Sequence, residues 1–337
     1  MSGSARTLCL SWKKLWEIID MTKYTDTGKK DTRSGFGEGL LRAAKEDDRV
    51  VALAADLTSS VKMWAFAREF PNRFFQCGIA EANMIGVAAG LARTGKVAFC
   101  GSFAEFITGR VYDQVRMMVA YGNTNVKLAS SHAGITLGED GATHQTMEDI
   151  ALMRALPGMT VIAPCDYNQT VGATLAAARY DGPVYLRFGR PAVPNFTNPD
   201  EPFEIGKVYV MNPGKDVTIA AYGHLVWEAV LAAEALEAQG ISAEVLNVAT
   251  IKPLDVAAIK ASVSKTGAIV VAEEHNAAGG LGEAVAFALA GQAPMEFING
   301  GDRFGESGSP AELLKLYGMD SGHIVAAALK VLSKKQA

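Results

Sequence analysis

Long apolar runs are missing from this 337-residue sequence: no stretch of about 18 apolar residues occurs, so no segment reads as a membrane-spanning helix. Concentrated positive charge is missing as well. Lys and Arg number 32 against 36 Asp and Glu, the net charge is −4, and no basic stripe is present, which argues against nucleic acid as a partner. Cysteine is scarce. Cys9, Cys77, Cys100 and Cys165 show no CxxC spacing, so neither a zinc site nor a redox pair is indicated. The last three each close an apolar, strand-like run and are expected to be buried free thiols in a reducing, cytoplasmic setting. Fixed-period repeats and low-complexity tracts are also absent. The first residues lack the apolar core and cleavage site of a signal peptide. Apart from the amphipathic patch LWEIID, residues 1–28 read as an extension, loosely held or packed on a partner.

What is present is an ordinary globular composition, 49% hydrophobic and 20% charged, over a length that favours two domains. Short β-rich runs alternate with amphipathic helices. RVVALAAD, RFFQC, KVAFC, NVKLASS, TVIAPC and PVYLRF read as strands, with a helical pattern between each pair. Continuously apolar strands between helices predict an α/β fold with a mostly parallel sheet covered on both faces. Residues 193–207 lie in a proline-rich stretch with no helical period and read as a linker. The predicted organisation is one α/β domain over 29–192 and a second over 208–337, with strands at DVTIAAYG, SAEVLNV and AIVVAEE and helices at 281–290 and 310–335.

Such sheets place ligands at the carboxyl ends of their strands. Asp56, Glu81, Gly101, Ser102, His132, Asp166 and Arg190 fall at those ends. Glu81 heads the otherwise apolar GIAEANMIGVAAGLA. An acid there either stabilises a helix dipole by about 0.3–1 kcal/mol or is a partly buried acid with a raised pKa that shares its proton with a ligand base. SSHAGITLGEDGATHQ carries His132 and His144 on a glycine-rich loop. The spacing is not one known for metal ligands, so no metal site is predicted, and the loop reads as surface structure or as a substrate-facing segment. YLRFGRP puts Arg187 and Arg190 at a strand end suited to a tetrahedral oxyanion, with Arg33 as a third candidate. GSFAEFITGR sets Phe103 and Phe106 on one side of a helical turn, as core or as a wall for a flat heterocycle. The G-G-x-G in HNAAGGLGEAV reads as a tight entry into a helix rather than a phosphate loop.

Taken together, GIAEANMIGVAAGLA, SFAEFITGRVYDQVRM, the long HAGITLGEDGATHQ block, GPVYLRFGRP and TIKPLD resemble the C-terminal half of a transketolase from about residue 30 onward. The resemblance implies a pyrimidine-binding domain followed by a transketolase C-terminal domain. The Gly-Asp-Gly…Asn motif, with which the family holds the diphosphate and its metal, is absent. On this resemblance the chain is expected to start too late to hold that domain. It therefore resembles the second subunit of a split transketolase, sharing thiamine diphosphate with an N-terminal subunit that binds Mg2+ or Ca2+, two of each in an A2B2 assembly. The implied reaction moves a two-carbon ketol unit from a ketose phosphate to an aldose phosphate by way of the thiamine ylid. By the same resemblance Glu81 bonds N1′ of the aminopyrimidine. Arg33, Ser60, His132 and Arg190 hold the sugar phosphate, Asp140 reads the α-hydroxyl, His144 lies near the donor carbonyl, and Asp56 lies beside the cofactor. Counted from GSF, Phe106 stacks on the pyrimidine. Counted back from YDQVR the position is Ile107, but only a ring gains stacking energy. Alternatives are an unusual branched or sulfonated sugar as substrate, or a non-catalytic structural or regulatory subunit.

Overall fold

Strands that are apolar on both faces stay in place only when helices cover both sides of their sheet. The computed structural model describes residues 28–335. Cys9 and LWEIID lie outside the described residues. Strand β1 (Lys29–Asp31) leads into α1 (Thr32–Glu46). Then come β2 (Val50–Ala54), β3 (Phe74–Gln76), α2 (Glu81–Arg93), β4 (Val97–Phe103), β5 (Val126–Ser131), β6 (Thr160–Ile162), α3 (Tyr167–Arg179), β7 (Val184–Arg187) and β8 (Ala192–Pro194). Strands β2 to β7 form a parallel sheet in the order β6-β7-β5-β4-β2-β3. Every residue of β2, β4 and β5 is buried. Each large apolar side chain among them contributes about 2 kcal/mol of burial energy. Two glycines set how closely α1 packs on α3. A methyl group at Gly35 would lie 2.5 Å from the Tyr167 carbonyl oxygen, and one at Gly39 would lie 2.7 Å from Thr174 Cβ.

The second sheet holds β9 (Tyr209–Asn212), β10 (Val217–Ala221), β11 (Ala243–Asn247), β13 (Ile269–Ala272) and β14 (Met295–Ile298), in the order β14-β13-β10-β11-β9 with only β9 antiparallel. Helices α4 (Leu225–Glu237), α5 (Val256–Thr266), α6 (Leu281–Leu289) and α7 (Ser321–Lys335) flank it. At the glycine-rich entry to α6, Glu273 accepts from the backbone N–H groups of Leu281 and Gly282 at 2.6 and 2.9 Å.

The sequence pattern differs from the structure in several places. The second unit is not self-contained: β12 (Thr250–Lys252) leaves it and pairs antiparallel with β6 at the edge of the first sheet. Lys252 Nζ there donates to the carbonyls of Arg154 and Leu156, occupying acceptors at the end of the short helix Asp149–Ala155. The proline-rich stretch is tied down, since β8 pairs with β1, and Asp166 accepts from the N–H groups of Phe196 and Thr197. The long C-terminal helix is broken into Pro310–Leu316 and α7 around Gly318, whose φ of +68° does not continue a helix. Val115–Tyr121 winds as a π-helix rather than an α-helix. Cys100 and Cys165 are buried, but Cys77, just past the short strand β3, is only half-buried.

Candidate active site

Strands β2 to β7 all point one way, so the residues following them gather along one rim. Asp31 caps α1 by accepting from Ser34 N–H at 3.0 Å and pairs with Arg33 at 3.2 Å, which aims the guanidinium into the rim. Arg33 Nη1 also donates to the Ser60 carbonyl at 3.2 Å and to His132 Nε2 at 3.4 Å. Arginine has no acceptor, so His132 carries its proton on Nδ1 and donates it to Ser131 Oγ at 2.6 Å. Burial, with the charges of Arg33, Arg190 and Lys62 around it, pushes the His132 imidazole down to about 3, so the ring is neutral at physiological pH. The result is a positive cluster (Arg33, Lys62, Arg190) around an uncharged imidazole. The backbone is strained at His132 and Asp56, whose φ values are +60° and +58°, left-handed for non-glycine residues.

The aromatic wall stands beside this cluster. The Phe103 ring stacks on His132 at 3.8 Å between centroids and on Phe106 at 5.6 Å, and His144 meets Phe106 edge-on at 5.3 Å. Thr143 Oγ1 lies 2.9 Å from His144 Nδ1. Glu81, the first residue of α2, is 4% exposed, and its Oε2 pairs with Arg110 Nη1 at 3.3 Å. The same guanidinium lies 3.9 Å over the Phe106 ring. Glu81 is thus buried, and in this chain its charged partner is a guanidinium. Arg190 Nη1 donates to the Leu137 carbonyl at 2.7 Å and pairs with Glu139 at 3.0 Å. Asp140 is exposed at the loop tip. Asp56 is exposed, and its N–H donates to Gln76 Oε1 at 2.8 Å.

Other predicted rim residues lie elsewhere. Arg187 is no oxyanion site: it is 4% exposed, pairs with Asp149 at 2.7 Å and donates to the Glu274 carbonyl at 2.9 Å. Asp166 is spent as the cap of α3 and the anchor of the proline-rich stretch. Ser102 is fully buried inside β4. Ile107 lies in the apolar core, so Phe106 is the ring of that pair on the rim. Sequence reasoning missed Arg110, which ends GSFAEFITGR, and Lys62, two residues after Ser60. It also missed Glu105, next to Phe106, where burial and the charges of Glu148 and Asp149 push the carboxyl up to about 7.

Two family models match the chain: transketolase pyrimidine binding domain over residues 28–195 and transketolase C-terminal domain over residues 206–324. The chain belongs to the transketolase family. It is 46% identical over 306 residues to the 6-deoxy-6-sulfo-D-fructose transketolase subunit SqwH of a Clostridium species, covering 90% of this chain and 95% of that one. It is 39% identical over 304 residues to one of the subunits of the apulose-4-phosphate transketolase of Phocaeicola vulgatus, covering 90% and 97%. A solved structure described as a split gene transketolase, inactive beta4 tetramer, superposes with a TM-score of 0.85 at 44% identity, over 91% of this chain and all of that one.

The rim of this transketolase chain fits the pyrimidine end of thiamine diphosphate. A buried carboxylate faces a flat group, and that group already lies against an aromatic ring, the pairing an aminopyrimidine needs. Among the described residues no group of three or more His, Cys, Asp or Glu is placed to hold a metal ion, and no helix is long and apolar enough to cross a membrane.

Proposed function

We propose that this chain supplies the pyrimidine-side half of a transketolase. A second polypeptide would contribute the diphosphate-binding domain and its Mg2+ or Ca2+. The reaction is transfer of a two-carbon ketol unit from a ketose phosphate to an aldose phosphate. The observation that carries this reading is the Arg110 guanidinium, a flat cation bonded to buried Glu81 and lying on Phe106. When bound, thiamine diphosphate supplies a nucleophilic carbon and an electron sink. Glu81 would hold the hydrogen bond at N1′ of the pyrimidine, shielded from water by the apolar residues of α2. Phe106, backed by Phe103, would hold the ring flat, with Asp56 at the edge of the same recess. His144 and Asp140 would orient the sugar hydroxyls and carbonyl, and neutral His132 would donate or accept hydrogen bonds without adding charge.

Arg33, Lys62, Arg190 and the Ser60 segment would hold the anionic end of the sugar. That cluster suits a sulfonate as well as a phosphate, since both are tetrahedral oxyanions. The names of the Clostridium and Phocaeicola relatives favour a second reading, in which the sugar is sulfonated or branched.

Beside α2, Ile79, Met117, Met118 and Tyr121 are exposed apolar side chains, between 43% and 83% accessible. This supports burial of that face in an A2B2 assembly, which would work in the cytoplasm. The test is reconstitution with a chain that carries Gly-Asp-Gly…Asn. The wild-type complex should transfer ketol units, and Glu81→Gln should reduce kcat by about 10²–10⁴-fold while leaving assembly intact. Near-normal turnover in that variant would reject the role of Glu81, and an assembled complex inert toward every sugar would favour a structural subunit.

A further inference from the structure

Strand β13 runs out into Glu273, Glu274 and His275, and all three side chains are buried. Glu273 caps α6. His275 Nε2 accepts from Ala151 N–H at 3.2 Å. Glu274 crosses to the other domain, where its Oε1 accepts from Thr136 N–H at 2.7 Å. A carboxylate that is 4% exposed is costly to desolvate unless it is bonded, so this contact defines the geometry rather than decorating it. Gly134 makes room for it. Its φ is +83°, and a Cβ there would collide with the Glu274 carboxyl group. His224 Nε2 lies 3.5 Å from Glu274 Oε2 on the far side. The other end of the loop is also tied to the second domain, because Gln145 Nε2 donates to the Glu306 carbonyl at 2.9 Å.

Thr136 is the middle residue of the short turn Ile135–Leu137. The next carbonyl, that of Leu137, receives Arg190. The contacts form a series: the Glu274 carboxylate fixes Thr136 N–H, this sets the turn, and the turn places the acceptor that orients Arg190. His132 and His144 flank the turn on either side.

We propose that Glu274 is a positioning residue for the sugar-binding loop: from the second domain it fixes the Ile135–Leu137 turn and thereby the placement of Arg190 against the anionic end of the sugar. The proposal deepens the transketolase reading and rests on it. It gives the second domain, whose sheet carries no rim residue, a part in recognising substrate.

Two measurements test it. The first is hydrogen–deuterium exchange of the full chain without partner or substrate. Glu274→Ala should speed exchange at 134–146 by about tenfold or more, Glu274→Gln less because its amide oxygen still accepts, and α6 should be unchanged. Unchanged exchange at 134–146 in both variants overturns the proposal whatever the enzyme does. The second is kinetics of the assembled complex. Glu274→Ala should raise KM for a phosphorylated sugar about tenfold and Glu274→Gln by less, while kcat and the thiamine diphosphate dissociation constant move by less than about twofold. A KM that stays put, or a loss of cofactor affinity as large as the change in KM, also overturns it, since a merely structural role would act on both. If Glu274→Ala does not fold, Glu274→Gln carries both arms, with smaller shifts expected in the same directions. If the wild-type complex transfers no ketol unit, the functional reading fails and the exchange result still decides the role of Glu274 in the loop.

Discussion

Arg110 holds Glu81: the guanidinium stands 3.3 Å from a carboxylate that is 4% exposed, while its own side chain is 48% exposed. The acid supplies the buried charge and the arginine reaches it from the solvent side. Removing the cation leaves the buried charge unpaired, the more costly of the two deletions. Arg110→Met should therefore destabilise the isolated chain by about 1–3 kcal/mol, read from urea midpoints. Arg110→Met combined with Glu81→Gln should recover most of that loss. Additive losses in the double variant would mean that the two side chains are not coupled.

Among the described residues Arg190 is held by the Leu137 carbonyl and by an exposed pairing with Glu139, contacts that an anion at the rim could replace. A charge-assisted hydrogen bond contributes about 1.5–3 kcal/mol, roughly 10–100-fold in affinity. Arg190→Ala should raise KM by that factor for sugars ending in phosphate or sulfonate and leave KM for neutral sugars nearly unchanged. Equal effects on both classes would remove Arg190 from the anion site. A panel pairing each sugar phosphate with its sulfonate analogue would also separate the two readings of the substrate.

The alternation of strands and helices was legible because the rim strands are mostly apolar, β2 continuously so, and that pattern favours a covered sheet. The rim itself followed, because strand ends in a parallel sheet share one edge. Strand β12 was not legible, since the three residues of TIK carry no period, and only pairing with β6 makes them a strand. Arg187 and Arg190 could not be told apart either. They stand three residues apart at one strand exit, and which of them turns inward depends on Asp149, 38 positions away along the chain. Glu274 lay beyond sequence reasoning for the same reason, because its partner Thr136 is 138 positions away.

The neutral state of His132 predicts a pH dependence. A free imidazole titrates near 6.5 and this one near 3. Between those values the unfolded chain binds a proton that the folded chain does not. The stability present above about pH 6.5 is therefore lost as pH falls toward 3. His132→Gln should flatten this acid limb by a few kcal/mol, on the order expected from about 1.4 kcal/mol per pKa unit. Denaturant midpoints at pH 7, 5 and 4 would check it, and parallel curves for variant and wild type would contradict the assignment.

The Arg187–Asp149 pair yields the largest expected effect on stability. Both side chains are almost wholly buried, and Tyr185 donates to the same Asp149 oxygen that receives Arg187. Arg187 also donates to the Glu274 carbonyl, so the pair lies at the junction with the second domain. Removing one charge leaves the other unpaired in a dry site, at a cost of about 3–5 kcal/mol. Arg187→Met should accordingly unfold at markedly lower denaturant, and it should disturb both domains together because its contacts belong to both. Replacing the two charges at once by apolar residues of similar volume removes the unpaired charge, and such replacements are commonly neutral or stabilising. Arg187→Met with Asp149→Leu should therefore recover most of the loss, less the hydrogen bond that Tyr185 forfeits, about 1 kcal/mol. A double variant no more stable than Arg187→Met alone would mean that the backbone contact to Glu274, rather than the ion pair, holds the junction.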